Sequence, residues 1–553
     1  MIILELLVFL ISIIVLSLSF SGIGSLITFN TKSNFFINIF FGFIVISLII
    51  TLTHLFFKIN FLISTSIFFL GIILFFKKKK YLIFFEKKNL LLYFIIIISL
   101  IPIFVSQKYH EDFGYYHLPY SLAFIEEKIV FGFANIDQAF VYNSIWLNLY
   151  PIFFIENKNF NFLTLPSFLL FLSFIIFAIT NIIQKKNQIK NSNYYLIVTL
   201  FYFLLKFTRI SEFGVDFPAT IFSVLSIFYF IKFYETKENF EKRTFFYFNL
   251  AFSVFSILIK LSTAIVIILP IYLYFLNFKN LKFYIFSFKF LIIIFLCLVF
   301  FTQQFIYTGC LLFPTNLTCL NVSWFNPDHI NLTKKLELIN KSYSLAKDIY
   351  SPEEYLDNFN WFLIWIKRNY LEIIEHLLTM ILPLLTFVFV LKKSLETDEV
   401  FQERLILVFF IIIGLVFWLN YSPVYRFAIH IFITLVFLIF SNFFILREFS
   451  KKKFTVFVVM FLIFNFSKNI TRIYESEKIF LGIQKIENIY LFNEADSNEY
   501  ASIYYPDVKK NIKKNGWQGR LCWNTPFICS SKKLIINKRN RYLIINELKN
   551  KND

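Results

Sequence analysis

Charged residues are scarce in this chain, and their scarcity argues against an ordinary soluble domain. Only 16% of the 553 residues are Asp, Glu, Lys or Arg and 58% are hydrophobic, whereas soluble domains carry about 25% charged residues. Apolar runs of near-spanning length recur along the whole chain. The hydrocarbon core offers the backbone no water, so such runs must be helices. The sequence therefore predicts an all-α polytopic membrane protein.

The chain also lacks a basic segment before its first apolar run, an obvious internal repeat and a basic solvated domain. Residues 1–5 contain no Lys or Arg, so we expect a retained first helix rather than a cleaved signal peptide. The missing repeat disfavours a carrier built from related halves. Much of the net charge of +19 lies in short connectors between apolar runs. That distribution argues against a nucleic-acid partner and fits the positive-inside rule.

We predict about 12–14 spanning helices. The candidate spans are residues 2–20, 35–57, 61–76, 90–105, 163–183, 195–209, 218–234, 245–260, 263–277, 284–301, 371–391, 405–419, 428–446 and 454–467.

The basic connectors predict the orientation of these spans. Alternation along the chain places them all on one side, which we assign to the cytosol: Lys77–Lys80, Lys87, Lys88, Lys185, Lys186, Lys190, Lys392, Lys393, Arg447 and Lys451–Lys453. The opposite, extracytosolic side then receives loops 106–162, 210–217, 302–370 and 420–427 and the tail 468–553. Mixed apolar and polar stretches in the first loop, residues 115–125 and 139–155, predict helices that lie in the membrane interface.

These boundaries predict five parts. They are an added N-terminal module of helices (1–89), a transmembrane core (90–301) that carries the loop 106–162, an extracytosolic loop (302–370), C-terminal transmembrane helices (371–467) and a small extracytosolic tail domain (468–553).

Four of the five cysteines fall on the predicted extracytosolic side. Cys310 and Cys319 share the long loop, and Cys522 and Cys529 share the tail. Two local pairs on an oxidising side indicate two disulfides. Zinc binding is disfavoured, because no His cluster lies nearby at ligand spacing. We therefore predict no metal at the cysteines.

The densest polar cluster opens the first extracytosolic loop, at residues 109–120, and includes Glu111, Asp112, Tyr116 and His117. A carboxylate beside a helix end, close to lipid, suits a general base or a metal ligand. A solvated acidic loop is the alternative. A second acid, Asp216, stands at the start of a later span, where capping of the helix is equally consistent with the pattern.

Two cations are predicted to reach the same membrane face. Lys260 interrupts a long apolar stretch, and Arg426 is the only charged residue of loop 420–427. Either residue alone fits snorkelling towards headgroups. Together with Asp112 and Asp216 they form a set drawn from four connectors. Transfer of a group from a lipid phosphate requires an acid residue that activates a hydroxyl and cations that stabilise the departing phosphate.

At these residues the chain resembles the GT-C class of membrane glycosyltransferases, including its protein mannosyltransferase-like and aminoarabinose transferase-like branches. The resemblance covers roughly residues 90–445. It rests on Asp112 followed four residues later by Tyr116, on Lys260 followed by Ser262 and Thr263, and on the Arg426–Phe427 pair. The Asp112–Pro119 segment, the loop with Cys310 and Cys319 and the tail around Cys522 also resemble uncharacterised bacterial membrane proteins.

The resemblance implies a polyprenyl-phosphate-linked sugar donor and a glycan, lipid or protein acceptor in the cell envelope. Asp112 would be the catalytic base with Asp216 assisting. Lys260 and Arg426 would hold the phosphate, with Glu111, Tyr116 and His117 also in substrate binding. The membrane would be a bacterial inner (plasma) membrane, with the active site facing outward.

The chain departs from this pattern in two places. Phe113 stands where many GT-C enzymes have a second acid, which argues against a metal site, and a divalent metal cofactor stays an open alternative. The N-terminal module also adds three predicted spans ahead of the single span that usually precedes the catalytic loop in this class. Two other functions stay open: a transporter or flippase of a lipid-linked glycan, and a non-catalytic assembly factor of the cell envelope.

Overall fold

The computed structural model describes most of the chain, with gaps. The described residues are 2–28, 34–77, 87–105, 112–153, 164–183, 190–207, 214–281, 287–334, 360–390, 401–443, 450–475, 492–498, 501–506, 522, 527–530, 532 and 534–547.

The described residues are mostly helical. The helices are α1 Ile2–Gly24, α2 Phe35–His54, α3 Phe61–Lys77, α4 Lys87–Val105, α5 Leu118–Glu126, α6 Leu165–Ile183, α7 Asn191–Lys206, α8 Asp216–Glu235, α9 Asn239–Ile259, α10 Ile268–Leu276, α11 Phe278–Leu281, α12 Phe288–Thr308, α13 Asn360–Val390, α14 Phe401–Tyr421, α15 Ile429–Phe443 and α16 Lys451–Glu475. The strands are β1 Phe492–Asn498, β2 Ala501–Pro506, β3 Leu534–Arg539 and β4 Tyr542–Glu547.

Eight helices in the described part of the chain are long and apolar enough to cross a membrane: α1, α2, α6, α8, α12, α13, α14 and α16. Shorter apolar helices lie at Phe61–Lys77, Tyr93–Ile103, Leu261–Leu276 and Ile429–Ser441. Each span predicted from the sequence overlaps a helix. The mostly helical character expected from composition is therefore confirmed, and the eight long apolar helices agree with a polytopic membrane protein, while the count of 12–14 spans stays a prediction.

Small residues let the first helices approach closely. A Cβ atom added at Gly22 of α1 would lie 1.9 Å from the carbonyl oxygen of Gly71 in α3. A Cβ atom added at Gly42 of α2 would lie 2.2 Å from the carbonyl oxygen of Phe20 in α1. Apolar helices in lipid gain little from the hydrophobic effect, so close backbone packing contributes much of their association. The glycines thus set the spacing of α1, α2 and α3.

A row of hydroxyl groups joins α8 to α9. The Ser223 and Ser256 Oγ atoms lie 2.7 Å apart, and those of Ser226 and Ser253 lie 2.6 Å apart. The Asn249 side-chain amide donates to the Ser226 carbonyl at 2.9 Å. Such hydrogen bonds fix the register of neighbouring apolar helices. They bring the start of α8 beside the end of α9.

The loop 106–162 contains helical turns, as predicted, but most of their described side chains are buried in the protein. A π-helical turn, Phe113–His117, leads into α5, and 3₁₀ turns follow at Gln138–Val141 and Leu147–Phe153. Every side chain of the last turn is buried. The loop is tied to the end of α9, because Ser144 Oγ donates to the Ile259 carbonyl at 2.8 Å. These segments form a layer over the helix ends rather than lying exposed at an interface.

The tail is partly β-structure, which the all-α prediction did not include. Strands β1 and β2 form one antiparallel pair, and β3 and β4 form another. The second hairpin docks on the first loop, where Phe131 exchanges backbone hydrogen bonds of 2.9 Å with Leu543 and Ile545.

Both predicted disulfides are present. Cys310 is bonded to Cys319, and Cys522 is bonded to Cys529. Cys297 in α12 is a free thiol. Each bond therefore closes a short segment of the predicted extracytosolic side, in the long loop and in the tail.

Candidate active site

The paired helices α8 and α9 bring Asp216 and Lys260 together. Asp216 is the first residue of α8, and Lys260 follows the last residue of α9 with an extended backbone (φ −153°, ψ 121°). Thr263 Oγ1 donates to the Lys260 carbonyl at 2.8 Å, which satisfies an acceptor at the break between helices. The Lys260 ammonium forms an ion pair with Asp216 Oδ1.

Arg426 completes a three-residue ion-pair cluster, which consists of Asp216, Lys260 and Arg426. Its Nε atom lies 3.2 Å from Asp216 Oδ2. The Asp216 side chain is 26% exposed and that of Lys260 is 20% exposed, whereas that of Arg426 is 49% exposed. The arginine is therefore the member of the cluster that solvent reaches most readily.

The turn that carries Arg426 is held by two tryptophans. It is the 3₁₀ turn Tyr425–Phe427 between α14 and α15. The indole of Trp365 donates to the Pro423 carbonyl at 2.9 Å, and that of Trp418 donates to the Val424 carbonyl at 2.8 Å. These bonds satisfy two backbone acceptors immediately before the turn and fix its approach to α8.

The aromatic ring of Phe427 contacts both cations of the cluster. The Lys260 ammonium lies 3.4 Å from the centre of its ring, and the Arg426 guanidinium carbon lies 5.4 Å from it. A ring face attracts cations that are partly removed from water. Phe427 therefore helps to hold the two cations close to one another.

The first loop contributes its acid and aromatic residues to the same place. Asp112 is half-buried and lies within electrostatic range of both Tyr116 and Lys260. Burial raises the pKa of Tyr116 above its usual range, and the charges of Asp112 and Asp216 raise it further. Tyr116 thus keeps its proton and can act as a hydroxyl donor. The buried His117 adjoins it and lies within electrostatic range of Asp216.

The sequence-predicted residues Asp112, Tyr116, His117, Asp216, Lys260 and Arg426 thus meet at one end of the helix bundle. The two carboxylate oxygens of Asp216, which is the expected assisting acid, face the two cations. Glu111 lies outside the described residues. Within the described part of the chain, no group of three His, Cys, Asp or Glu is placed to hold a metal ion.

Sequence reasoning missed a second group of polar residues beside the cluster. Tyr202 of α7 shares a 2.8 Å hydrogen bond with His376 Nδ1 of α13, and the His376 ring stacks on Tyr425 with centroids 3.9 Å apart. Lys206 and Glu375 form an ion pair between the same two helices. The signal was present in the sequence, since charged and imidazole groups are rare in apolar helices and usually have partners.

Comparison with known proteins places most of this chain in one family. A protein-family model described as a domain of unknown function (DUF8201) matches residues 3–433. The chain belongs to the DUF8201 family. The DUF8201 match includes Asp112, Asp216, Lys260 and Arg426 and ends before α16 and the tail. No curated protein and no solved structure matches the chain.

Proposed function

We propose that this chain is a membrane glycosyltransferase of the GT-C class, which moves a sugar from a polyprenyl-phosphate-linked donor to an extracytosolic acceptor. The observation that carries the proposal is the cluster in which Asp216 pairs with Lys260 and Arg426. The half-buried carboxylate of Asp112 lies close to it. We assign proton transfer to Asp112, while Asp216 fixes the two cations.

The charge of the cluster suits a phosphate group. Two cations against the single carboxylate of Asp216 leave one net positive charge. A lipid-phosphate sugar is a phosphodiester with one negative charge. When the sugar leaves, the phosphate becomes a monoester and gains negative charge. Fixed cations that meet this developing charge stabilise the transition state more than the bound substrate.

The reaction needs one proton acceptor and one leaving-group site. The acceptor hydroxyl attacks the anomeric carbon and gives its proton to the Asp112 carboxylate. The bond between that carbon and the phosphate oxygen breaks, and its electron pair remains on the phosphate. Lys260 and Arg426 neutralise this oxygen, and arginine can bind phosphate through two parallel hydrogen bonds. The protonated Tyr116 hydroxyl donates to the sugar or to the phosphate.

The position of the cluster also supports a lipid donor. Asp216 is the first residue of α8, which is apolar enough to cross a membrane. Lys260 directly follows the last residue of the neighbouring helix α9. A polyprenyl chain in the bilayer would place its phosphate at this level, with the sugar exposed to the first loop. We propose the bacterial inner membrane, with this end of the bundle facing the cell envelope.

Reconstituted vesicles test the proposal directly. The purified chain is supplied with a panel of polyprenyl-phosphate sugars and with an extracted envelope fraction as acceptor. We expect one donor to be consumed and its sugar to appear in the acceptor. Movement of an intact lipid-linked glycan across the bilayer without donor cleavage would instead favour a transporter. Sugar transfer is also measured with EDTA present and with the Glu111→Gln variant. A loss of transfer in both measurements would show that a metal ion contributes.

A further inference from the structure

The second hairpin of the tail carries an exposed cluster of cations. Lys538, Arg539 and Arg541 lie at its tip and are exposed, and Lys128 of the first loop lies beside them. The Lys128 ammonium is 3.5 Å from the centre of the Tyr542 ring. We call these four cations the basic tip. It shares no residue with the ion-pair cluster and has no part in the proposed transfer reaction.

The hairpin is fixed against the end of a candidate spanning helix. The Tyr542 hydroxyl donates to the carbonyl of Leu55, the residue that follows α2, at 3.2 Å. The Asn135 side-chain amide donates to the Ile545 carbonyl at 2.8 Å. Next to Leu55, Phe56 is 61% exposed and Phe57 is 64% exposed. Leu55 follows a helix that is long and apolar enough to cross a membrane, so the residues after it reach the membrane surface. The basic tip therefore lies at headgroup level.

Three carboxylates near the hairpin, among the described residues, each have a partner outside the basic tip. Glu127 pairs with Lys58 at 3.2 Å, and Glu126 accepts the Phe527 backbone N–H at 2.7 Å. Glu547, at the far end of β4, pairs with Lys532 at 3.0 Å. Partial burial and the positive charges of Arg541 and Lys538 lower the pKa of Lys128, while the negative charge of Glu127 acts in the opposite direction. Arg541 and Lys538 thus act on Lys128 as like charges, and this exposed group of cations favours an anionic ligand.

The turn of the hairpin places arginine where glycine fits best. Asn540 and Arg541 both have positive φ, 49° and 67°. A two-residue turn of this kind usually has glycine at its second position, because a side chain there costs free energy. Arg541 occupies that position between Arg539 and Tyr542. The strained residue extends the row of cations to the very end of the hairpin.

We propose that the basic tip binds the headgroups of anionic phospholipids in the membrane leaflet on its own side. Charge complementarity and the depth of the hairpin both favour a lipid over a soluble partner. Arginine binds phosphate through two parallel hydrogen bonds. Clusters of Lys and Arg next to a membrane surface attract anionic lipids. The contact would anchor the tail, and with it the first loop, at the bilayer.

Hydrogen exchange of the full-length protein in nanodiscs tests this site. One set of nanodiscs contains phosphatidylcholine alone, and the other contains added phosphatidylglycerol. We expect the amides of residues 537–543 to exchange several-fold more slowly with phosphatidylglycerol at low salt, and the difference to shrink at high salt. Equal exchange in the two lipids would overturn the proposal, whatever the variants show.

Two variants assign the effect to the basic tip. Lys128→Gln/Arg539→Gln/Arg541→Gln should lose the lipid-dependent protection, while the buried amides of Ile536 and Ile545 report that the hairpin remains folded. The charge-matched control Lys451→Gln/Lys452→Gln/Lys453→Gln, at the start of α16, should retain it. Protection by soluble glycerol phosphate in phosphatidylcholine nanodiscs, or protection that persists in the folded triple variant, would overturn the lipid assignment.

Discussion

The Nε atom of Arg426 lies 3.2 Å from Oδ2 of Asp216, and the other oxygen of that carboxylate faces Lys260. One acid therefore holds two cations side by side. In this arrangement Asp216 lowers the positive charge that a phosphate would meet, and it also keeps two like charges from separating. The two effects oppose each other in substrate binding, which makes Asp216 the most informative member of the cluster.

Asp216→Asn should bind the lipid-phosphate donor more tightly and unfold more easily. The substitution raises the net charge of the cluster from one to two, and we expect roughly tenfold tighter binding, about 1.4 kcal/mol. Loss of a partly buried ion-pair partner should cost about 1–2 kcal/mol of stability, below the figure for fully buried pairs. Donor titration and thermal unfolding in detergent measure both. Unchanged binding with lost turnover would instead make Asp216 an assisting acid in the reaction.

Lys260→Met and Arg426→Met should each weaken donor binding and slow transfer. A hydrogen bond to a charged group contributes about 1.5–3 kcal/mol, which corresponds to roughly 10- to 150-fold. The matched control is Lys206→Met, which removes a cation that is paired with Glu375 beside the cluster. Binding assays with all three variants should separate them. A Lys206→Met loss as large as the other two would show that general positive charge, and not the cluster, attracts the donor.

Gly22→Ala should destabilise the N-terminal helices. Its new Cβ atom would lie 1.9 Å from the Gly71 carbonyl oxygen, so α1 and α3 would have to separate. Overpacking of this kind costs about 1–3 kcal/mol. Gly214→Ala is the control, because a Cβ atom there meets nothing within 4 Å. Thermal unfolding of the two variants should differ clearly, and equal melting temperatures would contradict the close approach of α1 and α3.

Cysteine labelling tests the orientation. Asn537→Cys on β3 and Lys190→Cys before α7 are made in a Cys297→Ser background, which keeps both disulfides. In intact cells a membrane-impermeant thiol reagent should label position 537 and leave position 190 unlabelled, because the two lie on opposite predicted sides. Permeabilised cells should label both. Labelling of position 190 alone in intact cells would invert the topology and remove the extracytosolic assignment of the cluster.

Much of the helical framework could be predicted because it depends on local composition. Apolar runs marked the spans, and basic connectors grouped Asp112, Asp216, Lys260 and Arg426 on one face before any contact was known. The ion pairs themselves could not be predicted, because charge counting gives a side of the membrane and not a distance. The cation–π contact between Lys260 and Phe427 depends on how α9 packs against the turn before α15, which is a tertiary relationship.

The tail and the second polar group were harder to predict for other reasons. The hairpin β3–β4 turns at Asn540 and Arg541 without the glycine that usually marks such turns. Its docking joins Phe131 to Ile545 across most of the chain. His376 was a single imidazole in an apolar run, and its partners Tyr202 and Tyr425 come from two other elements.

Transfer by the Asp112→Asn variant tests the central proposal most directly. The amide keeps the size of the carboxylate but cannot accept the proton, and general base catalysis contributes roughly 10²–10⁴-fold. With vesicles that contain equal amounts of inserted protein, we expect sugar transfer from the polyprenyl-phosphate donor to fall by at least that order while donor binding persists. Transfer by Asp112→Asn at a rate near that of the unaltered protein would contradict the assignment of Asp112 as the catalytic base.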